Sequence, residues 1–491
     1  MKRRKRLLVR LAICAALLAA AVGLSRCYSF RPSAGGGQTD FTPPRTLDPN
    51  DVLLPDEYEI EIIADALTFP TGITFDETGR LLITEAGYAY GGVQLAPRLI
   101  RLEPDGNRTV LAEGDKNGPW NGLTFHDGFI YVAEGGIREG GRILRFSENG
   151  DRQVLISGLP SGDHHTNGPI VGPDGWLYFG QGTMTNSGVV GADNADQDWL
   201  KLHPDLHDIP GETVRLSGKN FESANISESD GEVRTGAFSA FGEKTSENEI
   251  REGAEVASGS IVRIPLDGGE PELVAWGFRN PFGIVFSKEG NLFATDHGYD
   301  NRGSRPVWGA PDLLWKVEVG AWHGWPDFSG NRPLTEDDFR PPGAEPLTFL
   351  LAEHPNVPPT PLAHLDVHGG ASGLDISGSN KFGFEGEIFV AFFGDLAPAV
   401  NRVLTPVGFK IVRIDPTTGV FENFAVNRGD KNGPASLIGG GGFERPVAVR
   451  FDPEGNALYV VDFGVLTMDG KKHRPHKETG VIWKITRKEV R

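Results

Sequence analysis

Two adjacent histidines are the first residues in this chain that could do chemistry. They stand in the run His164-His165-Thr166-Asn167-Gly168-Pro169, just ahead of a turn at Gly172-Pro173-Asp174-Gly175 and a strand-like Trp176-Leu177-Tyr178-Phe179. Imidazole exchanges protons near neutral pH, so a histidine fixed beside a reacting hydroxyl can act as general base. Arg279 is the second candidate. It sits in an otherwise apolar run, where a planar guanidinium fork has a carboxylate or carbonyl oxygen as its natural partner. There is no phosphate-binding Gly-rich loop, dinucleotide fingerprint, nucleophile elbow or His-Glu-x-x-His. The only cysteines, Cys14 and Cys27, fall in the N-terminal leader or at its end. A thiolate nucleophile, a cysteine metal site and a disulfide are thereby excluded from the folded part.

The elements that would position these residues come as a repeat. A strand, a Gly-containing turn, a second strand, a loop and an outer Arg- or Lys-bearing strand recur six times. The second strands are residues 80–85, 129–134, 176–179, 291–296, 387–392 and 457–462. Six strand-rich copies with no helical period predict an all-β, six-bladed β-propeller. The sixth copy lacks an outermost strand, and Glu59 to Ala64 is a spare one. Pairing the two would close the ring and leave no free edge. Residues 51–491 therefore read as one domain, with insertions at 186–257 and 326–366; the first, directly after the histidines, is expected to form a lid or rim. Loops leading into innermost strands converge around a propeller's channel, so His164, Arg279 and Arg445 are expected to be neighbours.

Composition places the protein. Residues 1–27 carry seven Lys/Arg, no Asp/Glu and the apolar run Leu11 to Leu24, as a signal peptide or an N-terminal membrane anchor would. The location expected is extracytoplasmic: periplasmic, secreted or anchored at the outer face. Residues 28–50, rich in Gly, Pro and Ser, read as a flexible linker. The rest of the chain holds 41 basic against 66 acidic residues, a field that repels nucleic acid.

The ordered set His164, Gly172-Pro173-Asp174-Gly175, Gly277-Phe278-Arg279-Asn280-Pro281-Phe282-Gly283, Gly324-Trp325-Pro326, Gly408-Phe409-Lys410-Ile411-Val412 and Arg445-Pro446-Val447 resembles the soluble quinoprotein glucose/sorbosone dehydrogenases, over roughly residues 60 to 486. The resemblance implies a pyrroloquinoline-quinone-dependent oxidoreductase that oxidises an aldose at C1. His164 would be the base and Arg279 the electrostatic partner of quinone and substrate. Arg279, Asn280, Lys410 and Arg445 would hold the three carboxylates of the cofactor. Calcium would bind at the backbone carbonyls of Gly298 and Tyr299 and at the Asp300 carboxylate, a loop that offers hard oxygens. With no haem motif, electrons would pass to an external acceptor. One departure is plain: Thr183 occupies the position of the carboxylate that orients the histidine in the best-known members. Two rival readings share the scaffold, a metal-dependent lactonase or hydrolase and a non-catalytic propeller that binds glycan or protein.

Overall fold

The structure is a computed structural model that describes residues 36–89, 93–195, 198–226, 231–397, 399, 403–470 and 472–488. The leader at 1–27 and the start of the expected linker lie outside the described residues. The protein is a ring of six four-stranded antiparallel blades. The innermost strands are Pro70–Phe75, Trp120–His126, Thr166–Val171, Pro281–Phe286, Ala371–Ile376 and Pro446–Phe451. The ring closes as the spare strand predicts. Tyr58–Leu67 pairs antiparallel with Gly480–Arg487, so the chain's first long strand becomes the outer strand of the last blade.

Side-chain alternation explains why blades stack. In the second strand Leu81–Glu85, Leu81 and Ile83 pack toward the sixth blade and Leu82 toward the second. Both faces of such a strand are covered, so it is buried along its length, apolar through Leu81, Leu82 and Ile83. The second strands Leu292–Asp296 and Ile388–Phe392 are buried in the same way. The outer strand Arg108–Glu113 is mostly exposed and polar. Six interblade cores result, one at each junction. Glycine lets the inner strands converge on the axis: a Cβ on Gly122, at φ 105°, would lie 2.4 Å from the Gly168 carbonyl oxygen.

A carboxylate at the end of the second strand recurs and ties down the loop that feeds the first. Glu85 accepts from Thr68 N–H, Asp296 from the N–H of Arg279 and Asn280, and Asp462 from the N–H of Glu444 and Arg445. Indole N–H groups of Trp120, Trp315 and Trp483 reach Glu134, Asp296 and Asp462 in turn. This internal hydrogen bonding holds the loops on the cavity face in place, because each buried backbone donator finds a charged acceptor.

One segment differs from the sequence reading. The second half of the expected linker is packed, not free. Gln38 bridges to Thr467, buried Arg45 pairs with Asp462 at 2.5 Å, and Val52–Leu53 adds a short fifth strand to blade five. The two insertions fold against each other. Leu216 bridges to Leu351, and a fully buried Arg305–Asp327 pair at 3.0 Å joins the loop after blade four's second strand to the second insertion. Their shared apolar cluster includes Val214, Phe238, Trp322, Trp325 and Leu350.

Candidate active site

A cavity of about 630 Å³ opens on the axis, within the range of small-molecule sites. All six blades contribute to it. One side is apolar, with Ala86, Phe282, Phe393, Phe463 and Val447; the other is polar, with His164, Arg279, Asn280, His297, Asp300 and Arg302. The first insertion supplies Asp193 and Trp199, so it forms part of the rim.

His164 stands at the start of the third blade because its backbone is pinned. Its N–H donates to Thr183 O at 3.0 Å, and Thr183 N–H donates to Arg279 O at 2.9 Å. Its ring Nδ1 lies 3.2 Å from both Thr183 O and Thr183 Oγ1. The Thr183 hydroxyl already donates to Thr185 O at 2.7 Å, so Oγ1 is an acceptor here, as the carbonyl must be. Two acceptors at Nδ1 fix the proton there and leave Nε2 as the basic atom. Burial, reinforced by the Arg279 charge, drives the imidazole well below its ordinary pKa against the pull of Asp163. The ring is therefore neutral at pH 7. Thr183 thus carries out the orienting role that a carboxylate was expected to fill. His165 also lines the cavity, and burial lowers its pKa to about 4.

Arg279 is buried beside His164, as expected, but its guanidinium is already partnered. Nη2 donates to Asp300 Oδ2 at 2.7 Å and to Asn186 Oδ1 at 3.0 Å; Nε donates to Asn186 O at 3.1 Å. Arg302 joins the same group, contacting Asp163, Asp193 at 2.8 Å and Asp300 at 3.1 Å. Burial works against charge on Asp163, yet Arg302 above all holds its carboxyl down to about 2. Asn280 bridges two histidine-bearing loops, accepting from Asn167 and donating to His297 Nδ1 at 2.9 Å.

The other expected ligands lie elsewhere. Lys410 is on the third strand of blade five, opposite Phe392, two strands out from the axis, where it pairs with Asp366 at 2.8 Å. Arg445 is fully buried but turned into the ring wall. It donates to the carbonyls of Gly394, Asp395 and Gly36, each at 3.1 Å, and lies over Phe393 and Phe409. Neither side chain lines the cavity. At the expected calcium loop, Gly298 faces the cavity and its N–H donates to Asp312. The Tyr299 side chain turns away, its hydroxyl donating to Phe328 O at 2.8 Å; the calcium ligand expected there is its backbone carbonyl. Asp300 is occupied by the two arginines.

Sequence reasoning missed Asp163, His297 and His368 as parts of this wall, and Asn186 behind it on the Arg279 guanidinium. His368 satisfies the rule that residues ahead of an innermost strand converge, since it lies three positions before Ala371. It adopts φ 59°, a strained conformation for a non-glycine residue, with Nδ1 3.7 Å from Asp300 Oδ1 and Nε2 buried without a partner.

Neither a protein-family model nor a curated protein sequence matches the chain. Solved structures do. A PQQ-bound aldose sugar dehydrogenase from Streptomyces coelicolor aligns with TM-score 0.51 at 17% identity, covering 88% of this chain and 99% of that one. The PQQ domain of a pyranose dehydrogenase from Coprinopsis cinerea, in its holo form, aligns with TM-score 0.52 at 14% identity, covering 91% and 98%. A calcium structure of a Trichoderma reesei carbohydrate-active enzyme of family AA12 aligns with TM-score 0.52 at 16% identity, covering 91% and 99%. At these identities the likeness is one of architecture: the chain has the six-bladed propeller fold that those three proteins share.

Proposed function

We propose that the protein is a quinone-dependent sugar dehydrogenase that acts outside the cytoplasm and oxidises an aldose, or a related polyol or aldehyde, at C1. The observation that carries this is His164: a neutral imidazole with its proton fixed on Nδ1 and its basic Nε2 left free of that pair, in the wall of an axial cavity beside a buried guanidinium. A sugar hydroxyl held against Nε2 loses its proton to the ring as hydride leaves C1. General-base help of this kind is worth about 10²–10⁴-fold in rate.

A cavity of about 630 Å³ has room for pyrroloquinoline quinone. Its flat rings suit the Phe282, Phe393 and Phe463 side, and Arg279, Asn280, Arg302 and Lys472 would hold its polar edge. The cofactor's carboxylates would take over arginine partnerships that Asp163, Asp193 and Asp300 now hold. When bound, the quinone supplies a two-electron acceptor for the hydride. Arg279 and Arg302 orient it, and the apolar wall excludes water from the hydride path. An external acceptor then reoxidises the enzyme.

For calcium, the backbone carbonyls of Gly298 and Tyr299 and the Asp300 carboxylate would be the hard oxygens. Asp300 is paired with Arg279 and Arg302, so its carboxylate would turn to the ion only as the cofactor's carboxylates take over those arginines. Among the described residues no group of three or more His, Cys, Asp or Glu side chains is placed to hold a metal, so the metal-dependent hydrolase reading gains no support from the axis. The test is reconstitution of the purified chain with the quinone, with and without calcium, and assay of aldoses with an artificial acceptor. Quinone-dependent dye reduction is expected. Absence of both quinone absorbance and dye reduction overturns the proposal.

A further inference from the structure

The third blade breaks a pattern that four other blades keep. Where the second strand pairs with the start of the innermost strand, blades one, two, four and six place a carboxylate: Glu85 opposite Pro70, Glu134 opposite Trp120, Asp296 opposite Pro281 and Asp462 opposite Pro446. The third blade places Gln181 there, opposite Thr166. Gln181 carries no charge. It accepts from the Thr166 hydroxyl at 2.9 Å and donates to Pro160 O at 2.7 Å. His164 therefore stands on a blade whose second strand ends without an anion.

A carboxylate reaches the same loop from the first insertion. Asp208 is buried, only 1% exposed. Its Oδ1 accepts from Met184 N–H at 2.7 Å, and its Oδ2 accepts from the Thr185 hydroxyl. Gly188 N–H donates to Thr185 Oγ1 at 2.9 Å, so the hydroxyl proton is turned toward Asp208. The Ser258 hydroxyl is a third donor. All three contacts donate to the carboxylate, an arrangement that favours its ionised form. Burial pushes its pKa up to about 6 against the pull of these donors, so it is charged at pH 7 and above. The donors are neutral groups, so the charge is not cancelled where it is held. The insertion fixes Asp208 from both sides: Leu206 packs in an apolar cluster with Met184, Val190, Trp199 and Leu200, and Ser258 N–H donates to Ile209 O at 2.9 Å.

The contact with Met184 matters because of what lies at the other end of that peptide. The N–H of Met184 and the C=O of Thr183 belong to one planar, conjugated unit. Thr183 O is one of the two acceptors at His164 Nδ1, at 3.2 Å. A carboxylate at the N–H end draws that proton toward itself and moves electron density onto the carbonyl oxygen. Hydrogen bonds in series polarise one another in this way. The oxygen that meets the imidazole is thereby a stronger acceptor than an ordinary carbonyl. The second acceptor, Thr183 Oγ1, is placed by the same segment: it donates to Thr185 O, and Thr185 is tied to Asp208.

We infer that Asp208 is a positioning residue for His164, its charge acting through the Thr183–Met184 peptide on the imidazole Nδ1–H in place of a carboxylate in direct contact with the ring. The first insertion then has a role beyond the cavity rim. No proton moves along this chain of groups. Nδ1 keeps its proton, and Nε2 is the better base because the imidazolium that forms is stabilised. The role in turnover rests on the proposed function, with His164 as base; the polarised contact does not.

The test reads the imidazole first and turnover second. The chain is prepared with isotopically labelled histidine, without cofactor and at mildly alkaline pH. The His164 Nδ1–H proton resonance is identified by its loss in His164→Gln. Asp208→Asn keeps the shape and removes the charge, so the resonance should move upfield and the His164 pKa should fall further. Ser258→Ala removes a competing donor, so the carboxylate draws harder on Met184 N–H and the resonance should move downfield. General loosening of the insertion would move both variants the same way, and that result overturns the inference. So does a resonance that neither variant moves. If Asp208→Asn does not fold, the direction of the Ser258→Ala shift decides alone: downfield supports the inference, and upfield or no shift overturns it. In the quinone-loaded protein, Asp208→Asn should lower kcat/KM about tenfold, mostly through kcat, the low end for loss of a group behind a functional histidine. Unchanged kcat/KM overturns the positioning role. Opposite shifts in a loaded natural protein that shows no activity count against the proposed function and leave the polarised contact standing.

Discussion

Arg279 and Arg445 occupy matching positions in two repeats of the same scaffold. Each precedes an innermost strand, each is buried, and each has its backbone N–H held by the aspartate that ends its blade's second strand, at 3.0 and 2.8 Å. Yet Arg279 faces the cavity and meets carboxylates, while Arg445 faces the ring wall and meets backbone carbonyls. The difference comes from what stands beside each. Around Arg279 the first insertion supplies Asn186, and the loop after Asp296 supplies Asp300. Around Arg445 the packed N-terminal segment brings Gly36 O and the loop after Phe392 brings three further carbonyls. Burial lowers the Arg445 pKa to about 10, with Asp395 acting against it. The lesson is that a repeat dictates where a backbone goes, and non-repeating segments decide what its side chain does.

The sharpest way to break the comparison is to remove what the cavity side supposedly does. His164→Ala should lower kcat/KM of the quinone-loaded enzyme by about 10²–10⁴-fold with an unchanged melting temperature. Full activity would move the base elsewhere. Arg279→Gln should cost about 10–100-fold in kcat/KM while the protein still folds. Arg445→Gln should do the opposite: denaturant unfolding should show a loss of about 3–5 kcal/mol from orphaned buried carbonyls, and the folded fraction should keep kcat within about twofold. If both variants lose activity alike at equal stability, the contrast is wrong.

A smaller effect tests the electrostatics. His164 is held neutral, so the acid limb of kcat/KM should lie well below pH 6.5. The sign follows from linkage: a depressed histidine pKa means the native ring resists protonation, so the active form persists as pH falls until the lowered pKa is reached. Asp163 raises that pKa, and Asp163→Asn should shift the limb to still lower pH. Thr183→Val removes one of two acceptors at Nδ1 and leaves the carbonyl, so a loss under about tenfold is expected. Lys410→Ala, far from the axis and paired only with a partly exposed Asp366, should alter kcat by less than about twofold.

Much of the architecture was legible because it repeats. Strand alternation, Gly-containing turns and the spare strand at Glu59 to Ala64 specify six blades and their closure, since each blade must bury two faces against its neighbours. His164 was legible as the one chemically distinct copy, and Arg279 as a charge in an apolar run. Lys410 and Arg445 were misplaced for a physical reason. A motif gives residue type and order, but side-chain direction depends on strand register and on competing acceptors. For Lys410 the register sets it two strands out; for Arg445 the carbonyls of a distant loop and of Gly36 capture it.

The linker was misread because Gly- and Pro-rich composition describes the chain's stiffness, and nothing local to Arg45 announces Asp462, more than four hundred residues away. The same holds for Thr183. Sequence showed that a carboxylate was missing; only the folded chain shows the hydroxyl and carbonyl that meet Nδ1 in its place. By itself the sequence determined the ring, its closure and the position of one histidine at the axis, because these follow from local periodicity. The tertiary structure alone decided which cations face the cavity, which ring nitrogen of the histidine carries the proton and where the segment from Gly36 to Leu53 packs on the ring, because each depends on partners brought together across blades.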